Sequence, residues 1–432
     1  MTPVDPIAYL YQAYLAHKNI TTDSRHATPN ALFFALKGPH FDGNEFAEQA
    51  LEKGASYAVI DNARYKKDAR YILVDDVLRT LQRLAVYHRK RLKIPMIGIT
   101  GSSGKTTTKE LILAVLRSRY VTTATKGNLN NHIGVPLTIL DIDEKTEIGI
   151  VEMGANHVGE IAQLCEIAMP THGVITNIGH VHIEGFGSFE GVIRGKRELY
   201  DYLLRHNGVV LANSIDPILK RITTPFTQVV TYPQQQDFYH CKFFNEDPFL
   251  VYQSENAQVV RSQLLGRYHF QNIATALCVA KYFQVDEMDA NKAIQNYRPS
   301  NNRSQIITQG NNTILLDAYN ANLESVKGAI QALHVMPAAH KVLILGDMAE
   351  LGEETEEAHR ALGRFTTQAV YKAVLLCGPH MIAAQETNPN ALHFLQKEDL
   401  GVYLAQQKFS NTAFLIKGSR FLQLETLVAF IH

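Results

Sequence analysis

The chain lacks an excess of charge of either sign, a long apolar run and a paired pattern of cysteines. Its 432 residues carry 42 Lys and Arg against 42 Asp and Glu, which argues against a general nucleic-acid binder. No apolar stretch approaches the ~20 residues that a membrane helix needs. The four scattered cysteines predict reduced thiols and exclude a disulfide framework or a zinc site. The first residues show no basic head followed by an apolar run, so we expect a cytoplasmic protein without signal peptide or membrane insertion.

Strand-like and helix-like segments alternate along the chain, and 46% of the residues are apolar. Apolar runs such as PMIGIT, EIGIVEMG and HGVITNIG are separated by stretches long enough for helical crossovers. This alternation predicts an α/β fold whose central sheet is mostly parallel and covered by helices on both faces. The more polar segment after residue 225 predicts an antiparallel extension of that sheet.

Changes in composition predict three domains. A basic helical segment ends near residue 90, and the Asn-, Pro- and Ser-rich segment at 296–305 predicts a linker. We therefore expect an N-terminal α/β domain at 1–90, a central P-loop-type domain at 91–297 and a C-terminal Rossmann-like domain at 298–432. We expect the protein to be a monomer.

The segment ITGSSGKTTT, residues 99–108, joins a predicted strand to a predicted helix. It misses the common phosphate-loop pattern G-x-x-x-x-G-K-[ST], because Ile99 stands where the first glycine is required. Its position still favours an anion, since a helix N-terminus presents free N–H groups and the positive end of a dipole. Lys105 would contact the outer phosphates and Thr106 could ligate Mg²⁺. A plain glycine-rich turn is the alternative.

Four further motifs follow in order: GNLNNHIGVPLTIL, IVEMGANHVGEI, TNIGHVHIEGFGS and GVIRGKREL. Together they resemble the ATP-dependent Mur ligases of peptidoglycan synthesis, whose phosphate loop has the shorter form T-G-[ST]-x-G-K-[ST]-[ST]. The resemblance covers essentially the whole chain, because TDSRHATPNALFFALKGPHFDGNEF resembles the family's N-terminal uridine-nucleotide domain. It implies that ATP is held by the loop residues Gly101, Ser102, Ser103, Gly104, Lys105, Thr106 and Thr107.

DAYNAN at 317–322, LGDMAELG at 345–352 and KGSR at 417–420 resemble the branch of the family that adds D-alanyl-D-alanine to UDP-MurNAc-tripeptide. The resemblance implies that the tripeptide carboxylate attacks the γ-phosphate of ATP and that the amine then displaces phosphate from the acyl phosphate. Meso-diaminopimelate and lysine both stay open as the third residue of the peptide. The diamino-acid-adding branch, whose D-N-P-R motif is absent here, and a nucleotide-binding protein without ligase activity are the alternatives.

The resemblance implies catalytic roles for Lys105, Glu152, His182 and Lys196. Glu152 ends a predicted strand. The resemblance implies that Glu152, Thr106 and His182 are ligands of Mg²⁺, and we expect two Mg²⁺ ions. Lys196 matches a lysine that CO₂ carbamylates, which would turn a cation into an anionic oxygen ligand. The alternative for Lys196 is a position on a solvated basic helix face.

The resemblance also implies contacts with each substrate. Two departures from the family pattern occur: Tyr268 and His269 replace the His and Asn that precede Asn272, and Asn44 stands where relatives commonly show histidine. No contact is carried over to those three departing positions. The expected contacts are Asn272, Arg303 and Asp317 for ATP, Ser24, Arg25, Asn130 and Asn131 for the UDP-linked substrate, and Asn320 and Asn322, with Asp347 and Glu350 nearby, for the dipeptide.

Overall fold

Parallel sheets recur along the chain in the computed structural model, which describes residues 6–432. A four-stranded sheet is followed by two six-stranded sheets, which confirms the predicted α/β class. No helix among residues 6–432 combines the length and the apolar character needed to cross a bilayer.

The first sheet is parallel and has the strand order β1-β2-β5-β6. Its elements are α1 (Pro6–His17), β1 (Ile20–Thr21), β2 (Leu32–Phe34), β3 (Lys37–Gly38), β4 (Phe41–Asp42), α2 (Ala47–Glu52), β5 (Tyr57–Ile60), β6 (Tyr71–Leu73) and α3 (Val77–Arg89). The side chain of Asp76 caps the start of α3, and α3 buries Val77, Leu81 and Leu84 at helical spacing. These side chains place one face of α3 in a hydrophobic core.

The central sheet is parallel throughout and has the order β12-β11-β10-β7-β9-β8. Its elements are β7 (Met96–Thr100), α4 (Lys105–Leu116), β8 (Thr122–Ala124), α5 (Gly134–Leu140), β9 (Ile148–Glu152), α6 (Glu160–Ala168), β10 (His172–Ile175), α7 (Ile183–Phe186), α8 (Phe189–Arg205), β11 (Val209–Asn213), α9 (Pro217–Thr223) and β12 (Val229–Tyr232). All five residues of β7 and all five of β9 are buried, as expected for a parallel sheet with helices on both faces.

The antiparallel strands predicted to extend the central sheet form a separate three-stranded sheet, which begins later than expected. Its elements are β13 (Lys242–Glu246), β14 (Phe249–Gln253) and β15 (Val259–Leu265), and the helices α10 (Phe270–Tyr282) and α11 (Glu287–Asn296) come next. The segment Val229–Tyr232, predicted to be antiparallel, pairs parallel with β11 instead. The reason is the intervening helix α9, which makes β11-α9-β12 a crossover unit.

The C-terminal sheet has the order β16-β17-β21-β18-β19-β20, with only the edge strand β16 antiparallel. Its elements are β16 (Gln305–Gln309), β17 (Asn312–Asp317), α12 (Leu323–His334), β18 (His340–Gly346), α13 (Thr355–Thr366), β19 (Ala373–Cys377), α14 (Ile382–Thr387), β20 (Leu392–Phe394), α15 (Lys397–Gln406) and β21 (Thr412–Lys417). The register pairs Asp317 with Lys417, so the carboxyl ends of β17 and β21 lie side by side.

The hydrophobic cores do not correspond to the individual sheets. Leu81 and Leu84 of α3 share a single buried core with Ile139 of α5 and Leu164 of α6. The C-terminal sheet has its own cores, one on each face. The expected domain limits at residues 90 and 297 stay predictions.

Candidate active site

One cavity of about 760 Å³ lies where strands of the central and C-terminal sheets end. Ligands of open α/β sheets bind at the carboxyl ends of the strands. The sequence-predicted residues that line it are Ser102, Ser103, Gly104, Lys105, Thr106, Thr107, Asn130, Asn131, Glu152, His182, Asn272, Arg303, Asp317, Asn320, Asn322 and Glu350. Among the other predicted residues, Gly101, Lys196, Ser24 and Arg25 are not part of this lining.

The turn between β7 and α4 is pressed against the segment that follows β10. The backbone of Gly101 has φ +143°, and a Cβ there would lie 2.0 Å from Oγ1 of Thr176. Gly104 has φ +74° and directly precedes α4. The backbone N–H of Ser102 donates to the carbonyl of Asn177 at 3.0 Å. Glycine is therefore required at both positions, and the shorter motif forms a tight turn into a helix N-terminus.

Lys105 is the first residue of α4, and its ammonium group folds back over the turn. Nζ donates to the carbonyls of Gly101, at 2.7 Å, and Ser102, at 3.2 Å. Burial lowers the pKa of Lys105 to about 8, while Glu152 acts in the opposite direction. The cation therefore lies at the helix N-terminus, where it would contact a bound phosphate.

Glu152, the last residue of β9, has one hydrogen-bonded oxygen and one oxygen without a hydrogen bond. Its side chain is 1% exposed. Oε1 accepts hydrogen bonds from Oγ1 of Thr106 at 3.0 Å and from Nδ2 of Asn130 at 2.8 Å. Oε2 is buried without a hydrogen-bond partner, and Nζ of Lys109 lies 3.9 Å from it. A buried carboxylate oxygen without a donor fits a hard cation such as Mg²⁺.

His182 and Glu350 meet across the cavity. Nδ1 of His182, which precedes α7 in the central sheet region, contacts the carboxylate of Glu350 from the C-terminal sheet region. The hydrogen bond from His182 lowers the pKa of Glu350. Asp347 does not join Glu350 in the cavity, because it is fully buried and accepts hydrogen bonds from the backbone N–H groups of His380 and Met381. The expectation that both acidic residues lie at a dipeptide pocket is therefore wrong for Asp347.

Lys196 lies on α8 and is 1% exposed, so the alternative of a solvated helix face is wrong. Its Nζ donates to the carbonyl of Ala155 at 3.0 Å, and Ala155 lines the cavity. Burial holds the pKa of Lys196 well below its ordinary value, and the charge of Lys105 acts in the same direction. Burial therefore favours the neutral form of this amine behind the cavity wall.

Asn272 lies beside the phosphate-loop turn, and its side chain is hydrogen-bonded on both sides. Oδ1 accepts from Oγ1 of Thr108 at 3.2 Å, and Nδ2 lies 3.2 Å from Nδ1 of His269. His269 and Tyr268, the residues that depart from the family pattern, both hydrogen-bond the Oγ of Ser304 at 3.1 Å. Burial lowers the pKa of His269 to about 4. The departing residues therefore connect the central region to the segment that enters the C-terminal sheet.

Arg303 and Asp317 reach the cavity from the C-terminal side. The guanidinium carbon of Arg303 lies 3.6 Å from the centre of the Tyr319 ring. Asp317 forms an ion pair of 2.6 Å with Lys417 and accepts a hydrogen bond from the backbone N–H of Ser304. Lys417, 2% exposed, is a site residue that the sequence predictions missed. Its position at the end of an apolar strand was the available signal.

Three of the predicted asparagines support turns. Oδ1 of Asn131 accepts from the backbone N–H groups that begin α5, and Oδ1 of Asn322 caps α12 by accepting from Ser325. Oδ1 of Asn320 accepts from the neighbouring N–H of Ala321. Asparagine commonly forms such turns. A substrate contact by these side chains stays a prediction and would use their amide nitrogens.

Ser24 and Arg25 lie in the first sheet region, outside this cavity. Ser24 is buried and donates to Oε1 of Gln49 at 2.7 Å. Arg25 is exposed and pairs with Asp23 at 2.8 Å. Asn44 is buried and donates to Asp61 at 2.8 Å. The binding of the UDP-linked substrate by Ser24 and Arg25 stays a prediction.

Three family descriptions match this chain along most of its length. They are the Mur ligase family catalytic domain at residues 17–89, the Mur ligase middle domain at 99–280, and the Mur ligase glutamate ligase domain at 302–420. The chain belongs to the Mur ligase family.

Relatives within this family carry a more specific name. The UDP-N-acetylmuramoyl-tripeptide–D-alanyl-D-alanine ligase of Bacillus subtilis is 33% identical over 97% of this chain and 93% of its own length. The ligase of the same name from Escherichia coli is 33% identical over 95% of this chain and 92% of its own. A crystal structure of MurF from Acinetobacter baumannii superimposes with a TM-score of 0.85 at 31% identity, covering 96% of this chain and 93% of that one. MurF ligase from Thermotoga maritima in complex with ADP gives 0.83 at 27% identity, covering 96% and 97%.

Proposed function

We propose that this chain is an ATP-dependent ligase that joins D-alanyl-D-alanine to UDP-MurNAc-tripeptide in the cytoplasm. The observation that carries the proposal is the juxtaposition in one cavity of Lys105 and of the Glu152 carboxylate, whose Oε2 has no hydrogen bond, with Arg303 contributed from the C-terminal side. The full-length relatives that carry this enzyme name support the same reaction. The first sheet, with Ser24 and Arg25, would take the uridine end of the substrate. The C-terminal part, with Asn320 and Asn322, would take the amine.

The residues of the cavity meet the electrostatic demand of the reaction. Attack of the tripeptide carboxylate on the γ-phosphate of ATP brings negative charge close to negative charge. The N-terminus of α4 and the ammonium of Lys105 lie together at the turn, where they would hold the phosphate chain. Arg303 would approach the same phosphates from the opposite wall. Fixed cations and N–H groups of this kind stabilise developing charge without reorganising. The amine of the dipeptide then attacks the acyl carbon, and inorganic phosphate leaves.

The same cavity offers oxygen ligands for Mg²⁺. Oε2 of Glu152 and Oγ1 of Thr106 are the groups that would hold the ion, with His182 beside them. Bound Mg²⁺ would neutralise part of the phosphate charge. Asn130 keeps the carboxylate of Glu152 in place through the bond to Oε1.

We also propose that Lys196 is carbamylated. Carbamate formation joins Nζ to the carbon of CO₂ and releases one proton, so it requires a neutral amine, and burial favours that form here. The product would be an anionic oxygen ligand on the cavity side of α8. We expect Lys196→Ala to be nearly inactive and short carboxylates or bicarbonate to restore part of its activity. Near-normal turnover of the alanine variant would contradict this role.

Phosphate release with defined acceptors tests the proposed reaction. UDP-MurNAc-tripeptide carrying either meso-diaminopimelate or lysine is combined with ATP, Mg²⁺ and one of D-Ala-D-Ala, D-Ala or a free diamino acid. We expect release with the dipeptide and one of the two tripeptides. A parallel reaction contains the dipeptide-stage acceptor and a free diamino acid, and phosphate release there would indicate the diamino-acid-adding reaction. ATP hydrolysis that is independent of any acceptor would indicate a nucleotide-binding protein without ligase activity.

A further inference from the structure

We propose that Glu350 is a positioning residue that orients His182 from the opposite side of the cavity. The proposal rests on the proposed function, since it assigns His182 to the metal side of that site. It implies that this side of the site is complete only when the C-terminal sheet is in place.

The first support is the backbone conformation of the two partners. His182 has φ +51° and Glu350 has φ +64°, and both are left-handed conformations that residues other than glycine rarely adopt. Such conformations persist where the surroundings hold them, and they cluster at functional sites. Here the two left-handed residues contact each other through their side chains.

The second support is the anchoring of the segment that carries Glu350. The backbone N–H of Met348 donates to Nε2 of buried His359 at 3.1 Å, and the N–H of Ala349 donates to Oγ of Ser419 at 2.9 Å. Buried Asp347 ties the start of the same segment to the N–H of His380. The C-terminal sheet therefore holds Glu350 in a fixed place.

The segment also packs against the helix that follows His182. A Cβ added to Gly352, which has φ +55°, would lie 3.5 Å from Cβ of Glu184 in α7. The backbone carbonyl of His182 accepts from the N–H of Phe186, which fixes the start of α7. Two separate segments therefore meet at the His182–Glu350 contact, one from each sheet region.

The third support is the chemistry of the contact. Nδ1 of His182 lies in direct contact with the carboxylate of Glu350. A proton on Nδ1, held by this carboxylate, would leave the lone pair of His182 on Nε2. Histidines that bind metals usually donate the other ring N–H to a carboxylate, which fixes the tautomer and the ring orientation. Glu350 supplies that carboxylate from the opposite region of the chain.

Titration of Mg²⁺ into the ADP-bound protein, followed by calorimetry, tests the role of Glu350. We expect Glu350→Ala to weaken Mg²⁺ binding by about ten- to a hundredfold, with Glu350→Gln recovering part of it through its amide oxygen. ADP binding in the absence of metal should be unchanged. The matched control is Glu353→Ala, an exposed acidic residue of the same segment, which should behave as wild type. Mg²⁺ affinity of Glu350→Ala within about threefold of wild type would overturn the proposal.

The same titration in a His182→Ala background shows whether Glu350 positions His182 or coordinates Mg²⁺ itself. If Glu350 acts through His182, adding Glu350→Ala to His182→Ala should leave Mg²⁺ affinity unchanged. A further loss in the double variant would show that Glu350 binds the ion itself and would overturn the positioning role. These binding measurements do not require the ligase reaction, so a failure of the proposed reaction in the wild type would be seen separately.

Discussion

Two junctions join the three main sheet regions of this protein, and they differ in their contacts. The first junction lies between the first and central sheets, and the second lies between the central and C-terminal sheets. At the first junction, α3 buries Leu81 and Leu84 in a core that continues into the central region. At the second junction, the central and C-terminal regions face each other across a polar cavity. The contacts there include the pair His182–Glu350 and the apolar side chain of Leu265, which packs in the C-terminal core. A continuous apolar core fixes the first junction, whereas a polar cavity separates much of the second.

Buried polar groups strengthen the first junction further. Nε2 of His88 donates to the carbonyl of Ile142 at 2.8 Å, and Nδ1 accepts from the hydroxyl of Tyr11 at 3.1 Å. The guanidinium of Arg89 donates to the carbonyls of Ala168 and Met169 at the end of α6, both at 2.9 Å. We therefore expect substrate entry and closure to occur at the second junction, where the candidate site lies.

The largest expected effect concerns the second junction. Lys105→Ala should lower kcat by about 10²- to 10³-fold, because it removes a fixed cation that stabilises the charge of the reacting phosphates. Steady-state kinetics at saturating ATP measure this effect, and Lys145→Ala, an exposed lysine on the same region, is the control. Thermal unfolding should match wild type. A variant that keeps more than about a tenth of wild-type turnover would exclude the role.

The next largest effect concerns the apolar first junction. Leu84→Ala removes a fully buried side chain and should lower the free energy of unfolding by about 2–5 kcal/mol. Hydrogen-exchange mass spectrometry should show the first and central sheets losing protection together. The matched variant Leu404→Ala, also fully buried, should lower protection in the C-terminal sheet. Loss of protection confined to the first sheet in Leu84→Ala would contradict a core shared by the first and central regions.

The smallest effect is the pH dependence of the first junction. Burial lowers the pKa of His88, so the unfolded chain binds a proton at a higher pH than the folded chain. The contribution of neutral His88 is complete above its ordinary pKa of 6.5 and is lost as the pH falls below it. Urea unfolding between about pH 7 and about pH 5 should therefore show a steeper loss of stability for wild type than for His88→Gln. Parallel profiles for the two proteins would contradict this account.

Local patterns predicted the parts of the site that lie within one segment. The phosphate-loop turn and Glu152 follow from a strand, its end and the next helix, and their neighbours along the chain suffice to find them. The contact between His182 and Glu350 could not be predicted, because it joins loops of two different sheets. The pair Asp317–Lys417 depends on β21 inserting next to β17, which is a property of strand order.

The burial of charged residues could not be predicted from the sequence either. Lys196 stands between Arg194 and Arg197 on α8, and this basic pattern is typical of a solvated helix face. Packing against Phe186 and the carbonyl of Ala155 buries its amine instead. Whether a helix face is solvated depends on which elements pack on it, and no single segment carries that information.

The ligase assignment is tested most directly by the identity of the product. The protein is given ATP, Mg²⁺ and UDP-MurNAc-tripeptide with equal concentrations of D-Ala-D-Ala and D-Ala, and the product is identified by its intact mass. We predict that the product has gained the dipeptide. The preference over D-Ala should be about ten- to a hundredfold, because losing a charge-assisted hydrogen bond to the distal carboxylate costs about 1.5–3 kcal/mol. A product that has gained a single amino acid, or ATP consumption without a new amide, would contradict the account.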